Sequence, residues 1–351
     1  MKLRLSLVVF SLILSVFIGL ALSRQGRSGD GPASKNKKPL IGLSMDTLKE
    51  ERWNMDKTLF VKRVEELGGE VLVQSANSDD ARQIQDIEAL LSRGVDALVI
   101  IPHNASAMSR AVDAAHRAGV PVLSYDRIIT GCDLDLCITF DNLRVGREQA
   151  QYLADTLLAG KSRMRIVRIY GSKTDYNAVL FKQGQDDVLL PLIKSGRVEV
   201  IHEDWADDWR PENAKKITNA AITKNGKNFD AILASNDGTA GGAIQALLEE
   251  GLAGKIRVTG QDADLAACQR ILGGTQSMTI YKPIKVLATR AAELAFDMAR
   301  HKVIYAPDQI DNGFKKVPAV FLDVKLVTGT NMMETVVADG FHKEAALTGK
   351  K

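Results

Sequence analysis

From residue 40 onward, short apolar runs alternate with stretches of helical periodicity, and few folds accommodate that alternation. Leu40–Ser44, Glu70–Gln74, Val95–Pro102 and Val120–Tyr125 read as strands. Between the first two, Met55, Leu59, Val64 and Leu67 recur at roughly helical spacing until Gly68-Gly69 ends the helix. Further helices are expected over 79–93 and 106–118. The run Val95–Pro102 (VDALVIIP) is almost continuously apolar, as in a parallel strand covered on both faces. The pattern predicts a doubly wound α/β lobe with a parallel sheet.

A second set of elements begins near residue 143. It comprises helix 143–158, strand Arg165–Tyr170, helix 176–194, strand Val198–His202 and helix 211–223, then strand Asp230–Ser235, helix 239–250, strand Ile256–Gly260 and helix 264–272. A weak internal repeat relates the two sets. Asp96–Ser106 and Asp230–Thr239 each carry a strand into a helix, and the following strands end at Asp126 and near Asp262. Asp96 to Asp126 spans 30 residues and Asp230 to Asp262 spans 32, so the units are nearly in register.

Composition closes off other classes. With 351 residues, 45% hydrophobic and 25% charged, the chain is neither disordered nor a polytopic membrane protein. A net charge of +3 supplies no basic footprint, so no nucleic-acid partner is expected. At the N-terminus, Met1-Lys2-Leu3-Arg4 precedes an apolar run over 5–22 and the small-x-small exit Ala21-Leu22-Ser23. Residues 1–23 are therefore expected to be a cleaved signal peptide, with an uncleaved anchor as the alternative, and 24–38 a flexible tether. Either way the rest of the chain lies outside the cytoplasm, and a bacterial periplasm is the simplest home.

In open parallel sheets, ligands bind beyond the carboxyl ends of the strands. Asp126-Arg127, Asn236-Asp237 and Asp262 each follow the last apolar residues of a strand. Capping of the next helix is the plain alternative for any one of them. As a set, facing one another across two lobes, they point to a crevice. Carboxylates accept from hydroxyls, Arg and Lys donate, and Asn does both, which suits a neutral polyol better than a phosphate. Trp53 and Trp209, in polar surroundings, are placed either to pack or to stack on a sugar ring.

Several longer segments carry a family resemblance. They are Glu51-Arg52-Trp53, Val73–Asn77, Asp96–Pro102, Tyr125-Asp126-Arg127, Phe140-Asp141-Asn142 and Trp209–Asn213. They continue as Ala234–Gly242, Gly260–Asp264, Met278–Pro283 and Asp339–Lys343, in order from about residue 39 to 345. In these the chain resembles the type I periplasmic sugar-binding protein family. The resemblance implies two Rossmann-like lobes joined by a three-segment hinge, and a receptor that hands its sugar to the permease of an ABC importer. It implies no enzymatic activity and no cofactor, and a monomer is expected. D-xylose is the favoured monosaccharide, with ribose, arabinose, glucose or galactose as alternatives.

The resemblance also assigns residues. Arg52, Asp126, Arg127, Asn177, Asn236, Asp262 and Lys282 would hydrogen-bond the sugar, and Trp53 and Trp209 would pack on its faces. Tyr176 replaces the small polar residue expected beside Asn177, a change that bears on sugar preference. The crossings between lobes are expected near Phe140–Asn142, Tyr281–Pro283 and Val317–Val320. The N-terminal lobe would then hold 39–141 with 283–318, and the C-terminal lobe 142–282 with 319–345, the strand Val320–Val327 included.

Cys132 and Cys137 lie five apart in a loop-like stretch, which leaves a small-loop disulfide and two free thiols equally open. Cys268 is expected to pack in a helix. A periplasmic sugar-acting enzyme remains the rival reading, because a carboxylate-rich crevice suits acid/base chemistry as well. The sequence has no Walker loop, G-x-S-x-G elbow or H-E-x-x-H motif, and its five histidines lack metal-ligand spacing.

Overall fold

A computed structural model describes residues 37–349. The expected signal peptide and nearly all of the expected tether lie outside the described residues. Along the chain come β1 (Leu40–Met45), α1 (Glu51–Glu66), β2 (Glu70–Ser75), α2 (Asp80–Ser92), β3 (Ala97–Ile100), α3 (Ser109–Arg117), β4 (Val122–Tyr125) and β5 (Leu136–Phe140). Then follow α4 (Asn142–Leu158), β6 (Met164–Tyr170), α5 (Tyr176–Lys194), β7 (Val198–Trp205), a 3-10 turn at Asp207–Trp209 and α6 (Pro211–Asn225). Next are β8 (Ala231–Ala234), α7 (Asp237–Glu249), β9 (Arg257–Val258), α8 (Leu265–Leu272), β10 (Thr279–Tyr281) and α9 (Ile284–Met298). The chain closes with β11 (Asp308–Asp311), β12 (Lys316–Leu322), β13 (Lys325–Val327) and the short α10 (Glu344–Thr348).

The strands form a seven-stranded sheet in the order β11-β12-β5-β4-β3-β1-β2 and a four-stranded sheet in the order β7-β6-β8-β9. Pairing is parallel throughout both except between β11 and β12. In β3, Ala97 and Val99 face one apolar cluster while Leu98 and Ile100 face another. β8 repeats this, with Ile232 and Ala234 on one side and Ala231 and Leu233 on the other. Both sheets are thus covered on two faces, which is why their strands read as unbroken apolar runs.

Three chain segments pass between the lobes. Two fall after Phe140 and around Lys282, and the helix α9 returns to the first lobe, where Glu293 pairs with Arg63 of α1 at 2.8 Å. The third differs. β12 stays paired with β5 as far as Leu322, opposite Phe140, so the passage falls at Asp323–Val324 rather than at 317–320. The expected single strand Val320–Val327 is two strands in two sheets, β13 pairing antiparallel with β10. Val317 and Ala319 are needed to fill the first lobe's core, which holds the strand there.

The Cys132–Cys137 disulfide does not form: both are buried free thiols, as is Cys268. Cys137 points from β5 into the same apolar cluster that receives Cys132. The intervening loop is tied instead by Asn312, whose Nδ2 donates to Ile129 O and Cys132 O at 3.1 and 2.8 Å. Among the described residues, no helix is long and apolar enough to cross a membrane.

Candidate functional site

The carboxyl ends of the two parallel sheets border a cavity that encloses about 340 Å³ of empty space, open solvent at its mouth included. Arg52, Trp53, Asp126, Arg127, Asn177, Trp209, Asn236, Asp262 and Lys282 all line it, so the structure brings together every residue singled out in the sequence. Glu50, Asp175, Phe181 and Gln261 also line it and were not singled out.

Each side chain is set by local backbone. Arg52 and Trp53 occupy the first turn of α1 and are buried there. Asp126 and Asp262 follow β4 and β9 with left-handed φ values of 61° and 95°, a conformation that non-glycine residues adopt rarely and then chiefly as Asn or Asp. Each donates its backbone N–H across the sheet end, Asp126 to Ile138 O and Asp262 to Ile280 O, both at 2.8 Å. Neither caps a helix. Asn236 does both jobs: it lines the cavity and forms a capping box with Thr239 at the start of α7. Asp175 caps α5 by accepting from Asn177 N.

The α5 residues depend on a close helix crossing. A Cβ on Gly146 would lie 2.1 Å from Phe181 O, and one on Gly184 would lie 2.0 Å from Leu143 O. Only glycine at both positions lets α4 and α5 approach so closely. The contact brings Asn142 against Asn177, whose Oδ1 accepts from Asn142 Nδ2 at 2.8 Å and whose Nδ2 donates to Asp126 Oδ1 at 3.2 Å.

The electrostatics are those of two buried guanidiniums among carboxylates. Arg52 pairs with Asp126 at 2.7 Å, Asp262 at 3.3 Å and Asp56 at 3.3 Å. Arg127 pairs with Asp46 at 2.7 Å and Asp175 at 2.8 Å. Burial opposes ionisation of Asp126, but Arg52 and Lys282 outweigh it and hold the carboxyl below its ordinary value. Asp56 lacks that excess of positive charge; burial pushes it up to about 6, against the Arg52 charge and a hydrogen bond from the Tyr125 hydroxyl. Asp237 lies behind the cavity, accepting from Gln276, Thr279 and Asp264 N. Burial, with Asp262 nearby, pushes it up to about 7.

Aromatic rings complete the walls. Trp209 Nε1 donates to Asp175 Oδ2 at 3.1 Å, and the ring lies so close over Gly171 that a Cβ there would be 2.0 Å from Cη2. The Arg52 guanidinium stacks 4.3 Å from the Trp53 ring centroid. Lys282 Nζ sits between the Phe140 and Phe181 rings at 5.5 and 5.3 Å, and 3.8 Å from Asp262 Oδ1. Two buried oxygens of the lining, Gln261 Oε1 and Glu50 Oε2, have no hydrogen-bond partner in the protein. The cavity therefore offers donors of both kinds, ready acceptors and two indole walls, the inventory for a small neutral molecule bearing several hydroxyls.

Tyr176 does not line the cavity; it packs against the apolar cluster of the first lobe, so it bears on the sugar only through its neighbours. Asp175 stands two residues before Asn177, but its role depends on the position of Arg127, which no spacing reveals.

Comparison with known proteins places this geometry among relatives. The model of the periplasmic binding protein domain matches residues 41–302. The chain is 47% identical over 307 residues to a D-xylose-binding periplasmic protein of Haemophilus influenzae, covering 88% of this chain and 91% of that protein. It is 46% identical over 315 residues to a protein of the same description in Escherichia coli, covering 90% and 94%. A carbohydrate transporter solute-binding protein from Chloroflexus aurantiacus, solved in complex with D-glucose, superposes with a TM-score of 0.83 at 30% identity, covering 88% of this chain and 98% of that one.

Proposed function

The chain belongs to the periplasmic binding protein family, and we propose that it captures D-xylose in the cavity between its lobes and presents it to the permease of an ABC importer. It acts by binding, not by catalysis. The observation that carries the reading is the mixed-sign, indole-walled cavity in a chain nearly half identical to two D-xylose-binding relatives.

In this account the sugar hydroxyls donate to Asp126 and Asp262, which Arg52 holds in place. Arg127, Lys282, Asn177 and Asn236 donate to ring and hydroxyl oxygens. Trp53 and Trp209 bury the C–H faces, each contributing on the scale of about 1–3 kcal/mol for a large apolar surface. These polar groups then each have a partner, and a ligand lacking one hydroxyl leaves a buried group unpaired, which is how such a site discriminates. A pentose offers a compact frame, whereas a hexose must also place a hydroxymethyl group.

The protein works as an exported monomer, with residues 1–23 removed on the way to the periplasm. Binding draws the lobes together about the three connecting segments. Small-angle scattering of the mature chain tests this: saturating D-xylose should lower the radius of gyration. An unchanged profile together with no bound sugar would overturn the reading.

A further inference from the structure

Outside the sugar cavity, a second set of contacts spans the lobes at the turn Asp207–Trp209. Lys49, from the loop before α1, donates its Nζ to Asp208 O at 2.7 Å. His103, after β3, lies with Nε2 3.4 Å from Asp208 Oδ1. Its Nδ1 faces Asp80 Oδ1 at 2.7 Å, on its own lobe. The turn is strained: Asp208 and Trp209 have consecutive left-handed φ values of 53° and 58°, unusual for one side chain and more so for a Trp. Asp208 N donates to Ser172 Oγ at 3.3 Å and Trp209 N to Ala206 O at 3.0 Å. The same turn thus presents the indole wall of the cavity and is gripped from the opposite lobe.

We propose that His103 and Lys49 form a latch on the Asp208 turn that sets sugar affinity by holding the lobes closed, without touching the sugar. The proposal rests on the receptor reading above and adds residues to it. Opening the lobes separates Asp208 from His103 and leaves Asp80 where it is.

A pH dependence follows from the charges around the imidazole. Asp46 and Asp175 face this region but are already paired with Arg127, and Glu50 is paired with Lys49. Arg210 stands 3.5 Å from the far oxygen of Asp208. The carboxylates that meet the imidazole nitrogens are Asp80 and Asp208. Burial disfavours the charged ring, but Asp80, Asp46 and Asp208 outweigh it and raise the His103 pKa above its ordinary value. Because Asp208 contributes only when the lobes are closed, closure binds protons. The latch is fully charged at low pH and is lost as pH rises through the His103 pKa of the closed form.

The test is calorimetric titration of D-xylose at pH 6 and pH 9 on the wild type, Asp208→Asn, His103→Gln and Lys49→Met, with dissociation rates by stopped flow. At pH 6, Asp208→Asn and His103→Gln should each weaken binding about three- to tenfold, the scale of a half-buried charged contact. The loss should appear as faster dissociation, and both variants should match the wild type at pH 9. Lys49→Met should weaken binding at both pH values, since its bond to Asp208 O does not pass through the imidazole. Asp208 is half-exposed, so its variant folds even where a change at His103 disturbs the loop. Wild-type affinity and pH profile in Asp208→Asn and His103→Gln would overturn the latch alone. A wild type that binds none of the pentoses or hexoses at either pH would overturn the receptor reading, and the latch with it.

Discussion

Asp126 and Asp262 hold one guanidinium, that of Arg52, from the carboxyl ends of two different sheets, at 2.7 and 3.3 Å. Each stands in a left-handed turn after its strand, and each N–H is donated to an isoleucine carbonyl further along the chain. The two-fold repeat of the chain is thus expressed at the cavity, where both copies of the strand-end aspartate meet a single cation.

That arrangement makes Arg52 the residue whose loss is felt most widely. Arg52→Met strands three buried carboxylates, Asp56, Asp126 and Asp262. Removing one partner of a buried ionic cluster typically costs about 3–5 kcal/mol. Urea unfolding should show a loss of that order together with abolished D-xylose binding; an unchanged midpoint would refute this account of Arg52.

Gln261 should behave oppositely. Its Oε1 is buried in the cavity wall without a protein partner. A sugar hydroxyl that donates to it contributes about 0.5–1.5 kcal/mol. Gln261→Met should therefore weaken D-xylose binding by that amount while thermal stability stays level or rises. Unchanged affinity would mean that the sugar does not reach this oxygen.

Gly171 is a packing constraint on the sugar wall. Its missing Cβ leaves room for the Trp209 ring, and Gly171→Ala forces the indole to move. Overpacking of this kind typically costs about 1–3 kcal/mol. The variant should show a lower melting temperature, weaker sugar binding and altered tryptophan emission. Retention of all three properties would contradict the ring placement.

Asp237 predicts a pH signature of stability. A carboxyl pushed up to about 7 in the native state holds its proton better there than in the unfolded chain. Its contribution is complete below the ordinary aspartate pKa of about 4 and is lost as pH rises through 7. Melting temperatures of the wild type should fall more steeply over that window than those of Asp237→Asn, in which the titrating group is gone. Parallel curves would exclude Asp237 as the source.

The sequence made the layers and the strand-end aspartates readable because fully covered parallel strands are unbroken apolar runs, and because a polar residue just past such a run has few places to point. The rest depends on contacts between distant segments. Nothing near Gly146 or Gly184 announces a helix crossing, since each matters only through the other's backbone. Lys282 and Asn177 came from the family resemblance, not from periodicity. The third interlobe passage was misplaced because residues 317–327 carry an apolar pattern that continues across the change of sheet, with no glycine or proline after Pro318 to mark it. The cysteine pair was undecidable from spacing, and Asn312, 175 residues beyond Cys137, performs the tie.

A pentopyranose is the ligand this cavity should select. Calorimetric titration of the mature protein against D-xylose, D-ribose, L-arabinose, D-glucose and D-galactose tests it directly. One site per chain is expected, with D-xylose bound tightest and D-glucose weaker because of its added hydroxymethyl group. Tightest binding of a hexose or of ribose would contradict the assignment.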